Sequence, residues 1–316
     1  IGPAWLNPML GSNNASTYPK FDFGLRKTPI TIPWLNWYIG EIESRIWMGY
    51  LSESDYFDND SSNDHNRVNG FNISYAPSFI PGLTLGATKI CLTKWMQFEW
   101  KYLNPFYNEN SRIGVSGSGE DQKASVYADW ILPEAGFEIF AEIGVDDYSS
   151  DILTNPFHTM IYTVGLKKST DISKTLSGEI IFEWNNSEMS QDFQLQWCYT
   201  GFYSHSQITQ GYTNRGQILG AGTGYFGNSQ YLGYRLYYPK GNTLIFIHRF
   251  CNDNNYIYNK SVYEIAGSLE NYYASMETYL VCGFQTSYFL NTNLNISAGY
   301  NFIYCKNPLY TKYTSC

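Results

Sequence analysis

Ten residues decide the fold: Phe137-Glu138-Ile139-Phe140-Ala141-Glu142-Ile143-Gly144-Val145-Asp146. Because successive side chains of a β-strand point to opposite faces, one face of this strand is apolar, and the other carries Glu138, Glu142 and Asp146. On a soluble sheet the acidic face would meet bulk water. In an outer-membrane barrel it would meet a wet lumen, while the apolar face would meet lipid. Choosing between these two settings is most of the functional question.

The composition excludes a helical membrane protein but allows a membrane barrel. The chain has 316 residues and a mean hydropathy of -0.33, and it contains no uninterrupted run of about 20 apolar residues. A barrel strand needs apolar residues only at alternate positions over roughly 9–11 residues. Aromatic residues make up 18% of the chain, including 29 Tyr, and these amphipathic rings suit a boundary between lipid and water.

Charge and cysteine content exclude other classes of function. The formal net charge is -8 and no basic stripe is present, which argues against a nucleic-acid partner. None of the six cysteines has metal-site spacing, so they are interpreted as unpaired small apolar residues, with disulfides still open. We predict no metal and no cofactor. The chain opens at Ile1 with neither a start Met nor a signal peptide, so truncation at the N-terminus is expected.

Strand patterns recur along the whole chain. They number about 12–14, which predicts an all-β antiparallel transmembrane outer-membrane β-barrel, a single domain over 1–316 and part of a larger barrel. The strand segments are 42–51, 70–75, 83–91, 123–132, 137–145, 159–167, 176–184, 231–238, 244–250, 262–269, 278–289 and 294–304, with one more after Gln217.

The connectors are of two kinds. Short turns occur at 132–136, 239–242 and 291–293, and long polar loops occur at 52–69, 185–193 and 251–260. Short turns on one rim and long loops on the other are typical of outer-membrane barrels. The lipid-facing sets are predicted to be Met160, Tyr162, Val164 and Leu166 on one strand and Leu294, Ile296, Ala298, Tyr300, Phe302 and Tyr304 on another.

Two segments fit neither the alternating pattern of the strands nor the pattern of the connectors. Gly11 to Ala15 reads as a polar turn before a strand, and the stretch from Gly211 to Gln217 leads into a run with Gly220, Gly222, Gly224 and Gly227. A strand face without side chains lets another backbone, a plug or a ligand approach closely, and a bulged strand is the alternative.

These two segments resemble motifs of the Wzi family of outer-membrane capsule-assembly proteins. The matching motif residues are Ser12, Asn13, Asn14, Tyr212, Asn214, Arg215, Gly216 and Gly220. The resemblance implies that the chain is the C-terminal majority of such a protein. It also implies a lectin-like function in capsule or exopolysaccharide attachment in the bacterial outer membrane. The partners it implies are capsular or other surface polysaccharide and outer-membrane lipid.

The long loops supply the candidate glycan contacts. Aromatic rings stack on sugar faces, and amides and carboxylates bond hydroxyl groups. The candidate residues are Tyr56, Phe57, Asp58, Asp60, Asp253, Tyr256 and Tyr258, for which anchoring at the lipid headgroups is the alternative. The acids of the first loop lack the central Gly and closing Glu of an EF-hand, so a solvated acidic loop is favoured over a calcium site.

Three alternatives to a polysaccharide-binding barrel remain. A passive porin would have an open lumen, and a soluble all-β carbohydrate-binding adhesin would not need lipid. An enzyme is not expected, because His205 and its neighbours Ser204 and Ser206 would point to opposite faces of a strand. Arg215 is predicted to lie in a barrel strand and to point into the lumen. There it is expected to pair with carboxylates such as Glu138, Glu142, Glu179 and Glu183 or with a plug, in a mainly structural role and not as a ligand contact.

Overall fold

A computed structural model describes residues 1–107, 119–146, 155, 157–190, 201–253, 275–310 and 314–315. Three short 3₁₀ turns lie at Trp100–Leu103, Pro133–Ala135 and Pro308–Tyr310. The strands are β1 (Lys20–Ile32), β2 (Trp37–Ser52), β3 (His65–Pro77), β4 (Leu83–Lys94), β5 (Asp121–Leu132), β6 (Phe137–Asp146), β7 (Met160–Ser173), β8 (Leu176–Asn186), β9 (Thr213–Asn214), β10 (Gln217–Ile218), β11 (Asn228–Tyr238), β12 (Gly241–Cys251), β13 (Thr278–Asn291), β14 (Leu294–Lys306) and β15 (Thr314–Ser315).

All strands except β9 and β10 belong to one antiparallel sheet in which neighbours in sequence are neighbours in space. The order runs β1 to β8, then β11 to β15. Twelve of these strands have ten residues or more, in agreement with the predicted count. The order is linear, so β1 and the β14–β15 end are the two edges of a sheet that is not closed within the described residues.

Turns and loops alternate around the two rims as predicted. On one rim the strand pairs are joined by tight turns, at residues 33–36, 78–82, 133–136, 174–175, 239–240 and 292–293. On the other rim the connections are long, beginning with residues 53–64 and 95–120. This alternation is typical of outer-membrane barrels, in which the long loops face the cell exterior.

Along β6 and β7 the inner face of the sheet is buried, and the outer face is apolar and at least partly exposed. On β6, Phe140, Glu142 and Gly144 are buried, whereas Ile139 and Ile143 on the other face are exposed. The set from Met160 to Leu166 likewise points outward, because the intervening residues of β7 are buried. A soluble protein would cover such a face, and lipid is the medium that favours it. In the described part of the chain, no helix has the length and apolar character needed to span a bilayer.

Two segments of the same chain, residues 1–18 and 201–226, pack against the inside of the sheet, and we call them the plug. Its core contains Met9, Leu10, Phe202, Tyr203 and Tyr212, all almost fully buried. The prediction of a barrel strand after Gln217 is therefore wrong. Only Gln217–Ile218 is extended there, in a two-residue pairing with Thr213–Asn214.

The remaining sequence predictions have different outcomes. β14 is exposed on both faces, so its burial does not test the predicted lipid-facing set from Leu294 to Tyr304. The expected strand after the polar turn at Gly11 to Ala15 is β1, in which Phe21 and Phe23 are exposed. The predicted strand 262–269 lies outside the described residues. Cys251, Cys282 and Cys305 are free thiols, Cys91 is buried on β4, and the other two cysteines are outside the described part.

Candidate functional site

The two family-like motifs lie against each other in the plug. The backbone N–H of Ser12 donates to the carbonyl of Leu219 at 2.9 Å, and its hydroxyl donates to the carbonyl of Gly220 at 2.5 Å. The Asn14 amide donates to the carbonyl of Ile218 at 2.9 Å. These residues, more than 200 positions apart in sequence, hold the plug together. Asn13 is exposed beside them.

Gly220 is required by this packing. A Cβ at this position would lie 2.1 Å from the carbonyl oxygen of Met9 and 2.5 Å from the ring of Tyr203. The two buried tyrosines also bind the first segment: Tyr203 donates to the Met9 carbonyl at 3.0 Å, and Tyr212 donates to the Leu10 carbonyl at 2.9 Å. The expectation that a glycine face allows close backbone approach is correct, although the partner is the plug's own first segment.

Lumen carboxylates fix the plug to the wall. Glu183 of β8 is fully buried and accepts backbone N–H bonds from Trp5, Leu6 and Asn7 at 2.6, 2.9 and 2.9 Å. Glu142 of β6 accepts from the Met9 N–H at 3.2 Å. A carboxylate with several N–H donors is a strong, charge-assisted anchor.

A buried ion cluster lies on the wall beside the second plug segment. Lys123 is completely buried, with its ammonium 2.7 Å from Asp121 and 2.5 Å from Asp146, and it lies over the Phe202 ring at 5.3 Å. Two carboxylates and an aromatic face offset the desolvation of one cation, and removal of one partner would leave buried charge. The cluster stabilises this part of the lumen.

The hairpin of β9 and β10 carries Arg215 to the long-loop rim. Arg215 and Gly216 form its turn, with φ of 53° and 76°, as a two-residue hairpin turn requires. The N–H of Arg215 donates to the Ser52 carbonyl at 2.7 Å, and the side-chain oxygen of Asn214 accepts from the Ser52 N–H at 3.1 Å. These bonds join the plug to the end of β2.

The predicted position of Arg215 is wrong. Its side chain is exposed at the rim and forms no ion pair with a described residue. The carboxylates proposed as its partners have others: Glu138 pairs with Lys167 at 2.7 Å, and Glu179 lies 3.5 Å from Arg235. Side-chain alternation fails here because Arg215 lies in a turn of the plug, not in a strand of the wall.

Arg215 and the loop 53–64 enclose an open cavity of about 760 Å³, which we call the rim cavity. This volume is in the range of small-molecule sites. Tyr56 is 97% exposed at its edge, so its ring is free to stack on a ligand. The cavity is lined by Ser52, Glu53, Ser54, Asp55, Tyr56, Asp58, Asn59, Ser61, Asp64, His65 and Arg215.

The acids of this loop influence one another. Partial burial, together with repulsion from Asp58, Asp64 and Asp60, raises the pKa of Glu53 to about 7. The side chain of Asp60 accepts hydrogen bonds from the hydroxyl and the backbone N–H of Ser62, and these hold the Asp60 pKa below its usual value. The cavity is therefore strongly acidic, and Arg215 is the cation at its edge.

The predicted glycan-contact residues are only partly brought together. Tyr56 and Asp58 line the rim cavity, whereas Phe57 and Asp60 lie in the same loop but outside its lining. Asp253 forms a separate isolated bridge with Phe226, and Tyr256 and Tyr258 are outside the described residues.

Sequence reasoning missed part of the cavity. Residues 65–69 of the predicted loop are in β3, and His65 is a lining residue that it did not identify. The run of Asp, Asn and Ser on both sides of Tyr56 was the available signal. No group of three or more His, Cys, Asp or Glu side chains in the described part of the chain is arranged to hold a metal ion.

Comparison with known proteins identifies the fold. No family model and no curated protein matches the chain. Among solved structures it is similar to Wzi of Escherichia coli, an outer membrane protein involved in group 1 capsule assembly and a carbohydrate-binding β-barrel. That match has a TM-score of 0.69, 16% identity, and coverage of 96% of this chain and 61% of that one. The resemblance to Wzi is confirmed for the fold.

A second similar structure is the outer membrane channel DcaP of Acinetobacter baumannii. It matches with a TM-score of 0.37 and 9% identity, and coverage is 95% of this chain and 88% of that one. The low TM-score gives it no weight in assigning a function. Both are outer-membrane proteins, and this chain spans about three fifths of the length of Wzi.

Proposed function

We propose that this protein binds surface polysaccharide at the bacterial outer membrane and that the rim cavity is the binding site. The observation that carries the proposal is the cavity itself, open at the long-loop rim, with the free ring of Tyr56 beside carboxylates, amides and hydroxyls. Aromatic rings stack on the apolar faces of sugars, and the polar groups bond their hydroxyls. The similar solved barrel, Wzi, binds carbohydrate, which is the same class of ligand.

The plug favours polysaccharide binding over solute conduction as the function. Residues 1–18 and 201–226 pack against the inside of the sheet, and residues 1–18 are hydrogen-bonded to the wall through Glu142 and Glu183. A porin needs a water-filled path through the barrel. The exposed apolar outer face likewise favours a membrane barrel over a soluble adhesin.

Binding is also favoured over catalysis. Nδ1 of His205 accepts the backbone N–H groups of Gln207 and Ile208, both at 3.3 Å, and the hydroxyl of Ser204 bonds the backbone of Gly201. A general base needs a free nitrogen within reach of the hydroxyl that it activates. The local bonds of these side chains support a structural role for both.

The test is retention of labelled cell-surface polysaccharide by the purified, detergent-folded protein. Tyr56→Ala removes the exposed ring from the cavity, and we expect retention to fall by about fivefold or more, as for loss of one stacking contact. Phe79→Ala is the matched control, because Phe79 is an exposed ring in a turn of the other rim. Equal retention by the two variants would contradict the proposal.

A further inference from the structure

A second surface lies on the outside of the sheet. The loop after β4 folds back against the wall, and we call its residues 94–107 the strap. Tyr102 of the strap is buried, and with Tyr107 it lines a small cavity against Asn69 and Cys91. Cys91 points outward because its neighbours Ile90 and Leu92 belong to the inner core. The strap therefore covers the outer wall at the long-loop rim.

The strap has large apolar side chains that none of the described residues covers. Met96, Trp100 and Phe106 are 89%, 80% and 90% exposed. Ile46 and Phe71 of the apolar outer band line the same small cavity, so the strap begins where that band ends. Aromatic residues at this level of a membrane barrel lie in the headgroup layer.

Positive charge is concentrated in the same place. Lys89, Lys94 and Lys101 lie in or under the strap, and Arg67 lies on β3 beneath it. Among the described residues, the acids beside these cations are Glu99, which pairs with Lys101 at 3.2 Å, Glu120, which accepts a bond from Tyr107, and Asp60, whose carboxylate interacts with Lys94. In a chain with a net charge of -8, these four cations and three acids leave the described part of the patch with a positive excess.

Arg67 is the buried member of this group. It is 8% exposed, and its guanidinium lies 4.7 Å from the ring centres of both Trp95 and Phe98. Its Nη2 donates to the Trp95 carbonyl at 2.6 Å, whereas Nε and Nη1 have no hydrogen-bond partner among the described residues. Aromatic faces offset part of the cost of burying this cation, and a nearby anion would offset more.

We propose that the strap is a docking surface for the phosphorylated headgroups of anionic lipids in the membrane leaflet at the long-loop rim. The exposed apolar side chains enter the interfacial layer, and the cations attract phosphate. Aromatic side chains alone would favour any lipid interface, so the cluster of cations is what selects anionic headgroups. This surface is separate from the rim cavity and does not depend on the glycan proposal.

The position of the strap is tested by quenching of tryptophan fluorescence in nanodiscs that contain a headgroup-labelled nitroxide lipid. The signal of Trp100 is the difference between the native protein and Trp100→Phe. Trp47 is 3% exposed in the core inside the sheet, so Trp47→Phe gives the matched signal of a ring that is shielded from lipid. We expect at least about twofold stronger quenching for Trp100 than for Trp47. Equal quenching would overturn the proposal.

The lipid selectivity is tested with nanodiscs of equal parts phosphatidylcholine and phosphatidylglycerol. After extraction and washing, we expect the ratio of bound phosphatidylglycerol to phosphatidylcholine to fall at least about twofold in the double variant Lys94→Gln and Lys101→Gln. The control is Lys174→Gln with Lys240→Gln, which makes the same charge change in two turns of the other rim. An unchanged ratio, or an equal fall in both double variants, would overturn the proposal.

Discussion

The inner wall at β6 and β8 and the loop 53–64 are both rich in carboxylates, but their surroundings differ. On the wall, Glu183 accepts three backbone N–H groups of the plug and is fully buried. In the loop, Glu53, Asp55, Asp58 and Asp64 line an open cavity. The same chemical group is structural where the chain itself supplies the donors, and it is free for a ligand where the chain does not.

The largest expected effect comes from Glu183→Ala. It leaves three backbone N–H donors, of which that of Asn7 is buried and those of Trp5 and Leu6 are partly buried, without their acceptor, which should destabilise docking of residues 1–18 by about 3 kcal/mol. The control is Glu179→Ala, because Glu179 points the same way on β8 but is only partly buried and faces Arg235 at 3.5 Å. The measurements are the midpoint of heat-modifiable gel mobility and protease cleavage within residues 1–18. Equal results for the two variants would mean that the wall does not fix the plug.

A smaller loss is expected at the contact between the two plug segments. Gly220→Ala places a methyl group against the Met9 carbonyl, which should cost about 1–3 kcal/mol. Gly222→Ala is the matched control, since its added carbon would have its nearest contact at 3.4 Å, with the side chain of Asn14. Thermal midpoints of the two variants give the comparison. A stable Gly220→Ala variant would show that the segments are not tightly packed.

Arg215→Ala should separate binding from stability. Because the side chain is exposed and without an ion pair among the described residues, the stability should change by no more than about 0.5 kcal/mol. Polysaccharide retention should fall, because the cavity loses its cation. Retention and gel mobility are measured on the same preparation. A lower unfolding temperature with normal retention would return Arg215 to a structural role.

The smallest expected effect is a pH dependence of the stability of the loop 53–64. The pKa of Glu53 is raised to about 7 in the folded loop from an ordinary value near 4.5, so its ionised form destabilises the loop above pH 7. This destabilisation is lost as the pH falls from about 7 towards 4.5. Protease nicking within residues 53–64, expressed relative to Glu53→Gln, should therefore slow between pH 8 and pH 5.5. A constant ratio would show that Glu53 does not titrate in this range.

The wall could be predicted from the sequence because its pattern is local. Alternation along β6 and β7 gave the correct inward and outward faces, and turn residues gave the correct rims. The same rule failed at Arg215 and after Gln217, where the chain leaves the wall and enters the lumen. Nothing in a short segment distinguishes a wall strand from an extended piece of plug, because the difference lies in which backbone accepts its hydrogen bonds.

The sequence by itself determined an apolar-outside, polar-inside antiparallel sheet with long loops on one rim, since the side-chain period of a strand is fixed at two. Only the tertiary structure decided that Ser12 and Asn14 meet residues 218–220, that Glu183 holds the plug, and that Arg215 reaches the rim cavity. These contacts join residues more than 150 positions apart. They depend on how the whole sheet curves around the plug, and no local pattern specifies that curvature.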